Sequence, residues 1–502
     1  MVSRVLGLVR EQVFAIFFGA GIYTDAFFAA FRIPNLLREL FAEGVFSAAF
    51  IPTFNEEKTK RGLGPAFQLA NLVFTAMTLL TALVCLTGII LTPIIVKYMT
   101  PGFVDVEGQM QLTILLARIM WPLLLFMSLA SVATGVLNSF GMFGIPALAP
   151  SMFNLAMIFS GIFLRQYFNP PILAMAIGVF IGGSGQLSFQ VPALFRLGFK
   201  FKPFLDLADK RLKKIFMLML PASVGTAAIQ INIFVATLLA SLLPAGSLSY
   251  LNYGYRLMHL PLALFGVAVA SVSLPNFSTL YAKDDLDGLK REYLDSLRFS
   301  LFLIVPAIFF ILSATYPIVG TIFQHGRFEF ADTVATVNVL RIYAIGLLAF
   351  ATVKVTAQVF FAMQDTKTPM KVGVITVAAN IILNIILMKP FQYLGLAMGT
   401  VIAGFVNMTV LLSILRPRFG GIGIPRLTVF IFKIIGLNMV LAAVMILLAG
   451  ETGINKPEAG AVLRGIMLLV MAIGYIIPYL YISKIMGIDE VKKITDLIRR
   501  GK

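Results

Sequence analysis

About fourteen times along this chain the sequence runs apolar for long enough to cross a lipid bilayer, and that repetition leaves few folds open to it. The stretches lie near residues 2–22, 26–54, 67–96, 112–138, 147–164, 171–195, 215–243, 248–281, 298–323, 333–361, 371–388, 393–415, 429–449 and 463–484. A helix needs roughly 20 mostly apolar residues to cross about 30 Å of hydrocarbon. Only 13% of the residues are charged and 59% are hydrophobic, too little polar surface to cover a body facing water. The expected class is an all-α polytopic membrane protein of about fourteen transmembrane helices. The second stretch is the weakest, because charges interrupt it.

The formal net charge of +17 could suggest a nucleic-acid partner, so the position of the charges decides. With an even number of spans and both termini cytoplasmic, the inside segments hold 25 lysines and arginines and the outside loops hold 6. The inside set includes Lys58, Lys60 and Arg61, the run from Arg196 to Lys214, and the tail from Lys484 to Lys502. The outside set is Lys97, Arg165, Arg327, Lys389, Lys456 and Arg464. That asymmetry is the positive-inside pattern of a multi-pass inner-membrane protein. It also removes nucleic acid as a partner, since the basic charge serves orientation and contact with phospholipid headgroups. The N-terminus does not read as a cleavable signal: Arg4, Arg10 and Glu11 interrupt its apolar run.

The chain repeats itself at an offset of 223 residues. Pro52 meets Pro275, Phe54 meets Phe277, Arg118-Ile119 meets Arg341-Ile342, and Pro146 meets Pro369. An offset of six spans returns the chain to the same side, which makes the repeat parallel, about an axis along the membrane normal. The expected organisation is an N-lobe over 1–195, a basic cytoplasmic linker over 196–214 and a C-lobe over 215–416. Residues 417–502 hold two extra spans and a basic tail. Paired lobes of this kind enclose a central site and rock against each other.

Loop charges leave nine basic residues at or within spans: Arg4, Arg10, Arg32, Arg38, Arg118, Arg256, Arg341, Lys354 and Lys433. The acids beside them are Glu11, Asp25, Glu39 and Glu43. An ionised group at membrane depth costs at least about 2.5 kcal/mol on insertion scales, so it must line water, pair or bind something. Arg32, Asn35, Glu39 and Glu43 step by three, four and four, which is one helical face, with Arg38 beside it and Pro34 bending the helix. Arg4 and Glu11 face alike on the first span. Arg256 followed by Pro261 gives the second lobe a similar cation and bend. For any single pair a structural salt bridge is an equal reading. For the set the balance does not close, and a surplus of arginines in a central cavity calls for an anionic substrate; the planar guanidinium suits phosphate.

Other features carry less. The run Gly182-Gly183-Ser184-Gly185 falls inside a span and reads as close helix packing rather than a phosphate loop. His259 and His325 read as structural, and Cys85, the one cysteine, as a packing residue. No motif here supplies catalysis, a metal site or an ATP motor. Asn232, Asn380, Asn384 and Thr400 can form a weak polar or ion site in the second lobe, with helix–helix hydrogen bonding as the competing role.

The run from Ser3-Arg4-Val5-Leu6-Gly7 to Arg10, then Thr24-Asp25-Ala26-Phe27-Phe28, Ile33-Pro34-Asn35-Leu36-Leu37-Arg38 and Phe41-Ala42-Glu43-Gly44, resembles the MurJ (MviN) lipid II flippases. These belong to the multidrug/oligosaccharidyl-lipid/polysaccharide exporter superfamily. Asn169-Pro170-Pro171, Tyr255-Arg256-Leu257-Met258, Phe323-Gln324-His325-Gly326 and Gln364-Asp365 through Lys367-Thr368-Pro369 extend the likeness over essentially the whole chain. The resemblance implies fourteen helices, two six-helix lobes and a trailing pair. It implies a transporter rather than an enzyme. The cargo would be lipid II, the undecaprenyl-pyrophosphate-linked precursor of peptidoglycan, moved from the cytoplasmic to the outer leaflet. Arg10, Arg38 and Arg256 would hold the pyrophosphate, with Arg4, Glu11 and Asn35 in the same substrate site. Asp25 and Glu43 would form gate contacts, and the trailing helices a groove for the lipid tail. Partners would be lipid II, the bilayer and the cell-wall synthesis machinery. No cofactor is expected; coupling would be to the membrane potential or to Na+ or H+, and the positions comparable to a sodium site in some members are uncharged here, including Asn380 and Asn384.

The rival readings are a flippase for another polyprenyl-pyrophosphate sugar, a drug/cation antiporter, and a non-transporting scaffold of the cell-wall machinery. An antiporter would show unpaired acids in its cavity, the opposite of this pattern. A scaffold would tolerate loss of the arginines.

Overall fold

A computed structural model describes residues 2–41, 45–421, 424–451 and 460–493. Glu43 lies outside the described residues. Among those described, the ordered structure is helical throughout. In chain order the helices are α1 (Val2–Phe18), α2 (Ile22–Phe41), α3 (Val45–Arg61), α4 (Leu63–Met99), α5 (Gln109–Met120), α6 (Pro122–Ser139), α7 (Gly144–Phe159), α8 (Leu173–Ser188), α9 (Val191–Arg196) and α10 (Lys210–Ser241). There follow α11 (Ser247–Pro261), α12 (Ala268–Ala282), α13 (Leu286–Ile322), α14 (Phe330–Ala362), α15 (Lys367–Arg418), α16 (Ile424–Glu451) and α17 (Ala461–Ile485).

Ten helical segments among the described residues are long and apolar enough to cross a membrane. The difference from fourteen has physical causes. α15 runs 52 residues but breaks at Gln392 (φ 50°, ψ −131°), where the sequence places the end of one span and the start of the next. α1 and α2 carry too many charges to register as apolar, and in α10 the apolar described part is Ile229–Ser241. Prolines set the subdivisions. Pro122 opens α6 directly after α5, and Pro261 closes α11 before a π-helical turn leads into α12.

The chain divides into two compact units. One holds Met1–Ser249 with Gly326–Phe328, and the other holds Tyr250–His325 with Glu329–Lys502. In the first, Phe46, Phe50 and Phe54 of α3 stack in sequence and pack against α4, α6 and the start of α10. In the second, Phe277 of α12 joins Tyr293, Phe302 and residues of α14 through α17. Phe54 and Phe277, matched at the repeat offset, are each fully buried in the core of their own unit. Close helix approach is built on small residues: a Cβ on Gly182 would fall 2.8 Å from the Phe153 ring, and one on Gly178 would meet Ser160.

Residues 326–328 belong with α1. The Arg327 amide donates to the Ile16 carbonyl at 2.9 Å, while Gly19 and Gly326, both at positive φ, let the two backbones meet. A Cβ would stand 2.5 Å from the Arg327 carbonyl oxygen at Gly19 and 2.2 Å from that of Ile16 at Gly326.

Charged clusters finish the helix ends. Lys214 at the start of α10 and Lys60 both donate to Glu56, each at 2.8 Å, and hold its carboxyl down to about 2. Arg211 bridges Glu57 at 3.2 Å and Asp209 at 2.7 Å, and its guanidinium lowers the Asp209 pKa. Before α15, Asp365 accepts from the Thr368 hydroxyl at 2.6 Å, the Thr368 amide at 3.0 Å and Arg418 at 2.7 Å; the Thr368 bonds and the arginine hold it at about 2.

Candidate functional site

The charged stripe is carried by α1 and α2, which are joined by the tight turn after Gly19. On α1, Glu11 is buried and Arg10 half-buried, and the two neighbours pair at 2.6 Å. Arg10 also donates to the Asn154 side-chain oxygen of α7 at 3.1 Å; Asn154 in turn donates to the Ser3 carbonyl at 3.1 Å. The guanidinium is thereby fixed between a carboxylate and an amide of a second helix. Arg4, one turn and a half earlier, is exposed.

On α2 the spacing read from the sequence becomes a chain of hydrogen bonds. Arg38 donates through Nε to Asn35 Oδ1 at 3.0 Å, and Asn35 donates to Glu39 Oε1 at 3.1 Å. Glu39 also accepts from the Gln230 amide of α10 and stands 3.9 Å from Arg38 Nη2. A guanidinium held at Nε keeps its outer nitrogens oriented, which is the face a phosphate would use. Pro34, inside α2 and buried, removes a backbone donor one residue before this set.

Asp25, in the first turn of α2, is 2% exposed. It accepts from the Gly246 amide at 2.7 Å, the Ser249 amide at 2.8 Å and the Ser249 hydroxyl at 2.5 Å. These donors form the N-terminus of α11, so the carboxylate caps a helix whose first N–H groups have no partner of their own. Its charge also meets the positive end of the helix dipole. Three of the four acids counted in the sequence fall among the described residues, and one of the three is thus engaged with backbone donors.

The remaining sequence candidates are placed as follows. Arg256 is exposed on α11, in the second unit, with Tyr255 against His259 beside it. Asn384 and Asn380 are buried and bonded to each other at 3.0 Å, and Asn380 donates to Thr400 at 3.4 Å. The Asn384 side-chain oxygen is buried without a hydrogen-bond partner. The structure brings these three together; Asn232 is on α10, in the first unit, where its own side-chain oxygen is buried and unpartnered. His325 bonds the Thr321 carbonyl at 3.0 Å and Cys85 packs with its sulfur on the Trp121 carbonyl at 3.2 Å. Among the described residues no cluster of His, Cys, Asp or Glu is placed to hold a metal.

Sequence reasoning passed over Asn154, Gln230, Gly246 and Ser249. All four are neutral, and their partners lie 144 to 224 residues away. The one available signal is a polar amide inside an apolar span, which Asn154 and Gln230 both give.

The family profile described as Lipid II flippase MurJ matches residues 14–454. A probable lipid II flippase MurJ of Buchnera aphidicola subsp. Acyrthosiphon pisum is 33% identical over 97% of this chain and 95% of its own length. That of Vibrio cholerae is 36% identical over 82% of this chain and 80% of its own length. Among solved structures, a lipid II flippase MurJ in an inward closed conformation superposes with a TM-score of 0.80 at 25% identity, covering 96% of this chain and 97% of that one. A multidrug resistance MATE family transporter of the MOP superfamily, inward-facing, shares the fold at a TM-score of 0.72 and 14% identity, over 83% of this chain and 94% of that one. The chain is a multi-pass membrane protein belonging to the MurJ lipid II flippase family of transporters.

Proposed function

We propose that this chain translocates lipid II from the cytoplasmic to the outer leaflet of the bacterial inner membrane, by alternating access. The carrying observation is the charge balance of the first two helices and the residues just after them: Arg4, Arg10, Arg32 and Arg38 against Glu11, Asp25, Glu39 and Glu43, of which Asp25 already answers the N-terminus of α11. A pyrophosphate neutralises that balance, and arginine's bidentate fork suits its oxygens. Arg10 and Arg38, oriented by Asn154 and Asn35, are read as the phosphate-binding pair on these helices, with Arg4, Glu11 and Asn35 beside them and Arg256 contributing from the C-lobe.

The functional lobes are 1–195 and 215–416, with 196–214 as cytoplasmic linker and both termini cytoplasmic. Residues 417–502 supply the groove for the polyprenyl tail. Asp25 is a gate contact, making and breaking its bonds to the start of α11, and Glu43 is proposed as a second. The transport step is driven by the membrane potential or by Na+ or H+. The neutral oxygens of Asn380, Asn384 and Thr400 are proposed as a weak cation site at most; Asn232, in the first unit, is not counted in it. Partners are lipid II, the bilayer and the cell-wall synthesis machinery.

The test is rescue of a bacterium depleted of its own lipid II flippase. The intact chain should restore outer-leaflet lipid II; failure despite normal membrane insertion overturns the reading. Failure accompanied by transport of another polyprenyl-pyrophosphate sugar would move the substrate within the superfamily.

A further inference from the structure

Between α9 and α10 the chain runs without regular secondary structure from Phe199 to Leu205 and is tied along α4 by the side chains of Asn71 and Thr75. Asn71 donates to the Lys200 carbonyl at 3.1 Å and accepts from the Lys202 amide at 2.9 Å. One turn on, Thr75 accepts from the Phe204 amide at 3.1 Å. Asn71 is itself buried, and Phe199 is sealed between Phe67 and Phe74 with ring centroids 5.6 Å from each. The strap is therefore a built element.

Its outer side is unusual for a linker. Phe201 is 50% exposed and Leu207 67%, with Phe195, Phe204 and Leu205 also exposed. Arg196, Lys200, Lys202 and Lys210 are exposed among them. The nearby acids are turned elsewhere: Asp206 accepts from the Ala208 amide, and Asp209 is held by Arg211. Depth along α4 decides what such a surface meets. Thr75 and Lys97 stand 22 residues apart on one helix, roughly 33 Å at 1.5 Å per residue. That is close to the hydrocarbon thickness of about 30 Å, so with Lys97 at one face of the bilayer, Asn71 and Thr75 sit at the headgroup level of the other.

We infer that the strap over Phe199–Leu205 is an interfacial anchor, with Phe201, Phe204 and Leu205 entering the headgroup layer and Lys200, Lys202 and Lys210 binding anionic phospholipid. Aromatic rings at the membrane–water boundary and basic side chains against a negative leaflet are each favoured there, and here they alternate on one short segment. Asn71 and Thr75 make this possible by satisfying backbone groups that would otherwise face the interface unpaired. The anchor fixes the entry to α10 relative to the bilayer surface.

Cys85 is the one cysteine and is buried, so Leu205→Cys accepts a single accessible spin label on the full chain. The chain is reconstituted in phosphatidylcholine vesicles, with or without about a third phosphatidylglycerol. The ratio of oxygen to water-soluble nickel accessibility should rise several-fold in the anionic vesicles. The triple variant Lys200→Gln, Lys202→Gln and Lys210→Gln should abolish that rise without altering thermal unfolding in detergent. Three results would overturn the inference: a label fully exposed to nickel in both vesicles, a label buried from both reagents, or equal depth in both vesicles regardless of the lysines.

Discussion

Asp25 joins the first turn of α2 to the first turn of α11, and removing it has a calculable consequence. In Asp25→Ala the Gly246 and Ser249 amides lose their acceptor at a site 2% exposed, where water does not readily replace it. Each orphaned buried N–H costs about 1–3 kcal/mol, and loss of a carboxylate at a helix N-terminus adds about 0.3–1 kcal/mol. The sum for the closed contact is about 3–5 kcal/mol, allowing for partial relaxation, which at 1.4 kcal/mol per tenfold is roughly a hundred- to a few thousand-fold in its population. Asp25→Asn keeps one carbonyl oxygen for one of the two amides and should cost about 1–2 kcal/mol. Ser249→Ala removes the hydroxyl bond alone, leaves both amides satisfied, and should cost about 1 kcal/mol or less. Hydrogen–deuterium exchange of a peptide covering residues 243–252 reads these bonds directly. Exchange should accelerate most in Asp25→Ala, about tenfold in Asp25→Asn, and little in Ser249→Ala. Unchanged protection in Asp25→Ala would refute the cap, and acceleration in Ser249→Ala equal to that of Asp25→Ala would refute the division of its strength.

Arg38→Ala and Arg256→Ala should each abolish flippase rescue at normal protein levels, while Lys at either site should restore it only in part; full activity of both alanine variants, scored by growth and immunoblot, would make the stripe structural. Asp365 has its carboxyl held at about 2 in the folded protein against roughly 4 when unfolded, so its contribution is present above pH 4 and is lost as pH falls towards 2. Thermal unfolding in detergent should therefore drop further between pH 5 and pH 3 in the parent than in Asp365→Asn, by less than about 1 kcal/mol because Arg418 is solvent-screened. Gly88→Ala would place a Cβ 2.3 Å from the ring of Trp121, which is buried and pinned by its indole N–H to Thr92 at 2.8 Å. Overpacking of about 1–3 kcal/mol should lower the unfolding temperature, and an unchanged value would show that the ring can shift.

The parts of this molecule legible in its sequence are those whose partners are close along the chain. Hydropathy marked the spans because every residue in a crossing helix meets the same solvent. The bonds from Arg38 to Asn35 and from Asn35 to Glu39 follow from steps of three and four on one helix, and the Gln392 break falls in the gap left between the eleventh and twelfth stretches. The partners of Arg10, Glu39 and Asp25 on other helices were not legible, because Asn154, Gln230 and Gly246 carry no charge and lie 144 to 221 residues away, so nothing in the sequence pairs them. Asp25 shows what this changes. Counted by sequence, it is an anion beside arginines and weighs against an anionic substrate. Placed by the fold, it answers the N-terminus of α11, whose aligned peptide dipoles require an acceptor whether or not a substrate is present. A carboxylate in a membrane span therefore offsets an arginine only when it does not already serve a backbone. Correcting for this leaves Glu11 and Glu39 as the described acids of α1 and α2 that face basic or amide side chains, and it moves the balance further towards a bound anion. The excess of basic over acidic side chains was thus readable from composition by position alone. The acceptor for the N-terminus of α11 needed the third dimension.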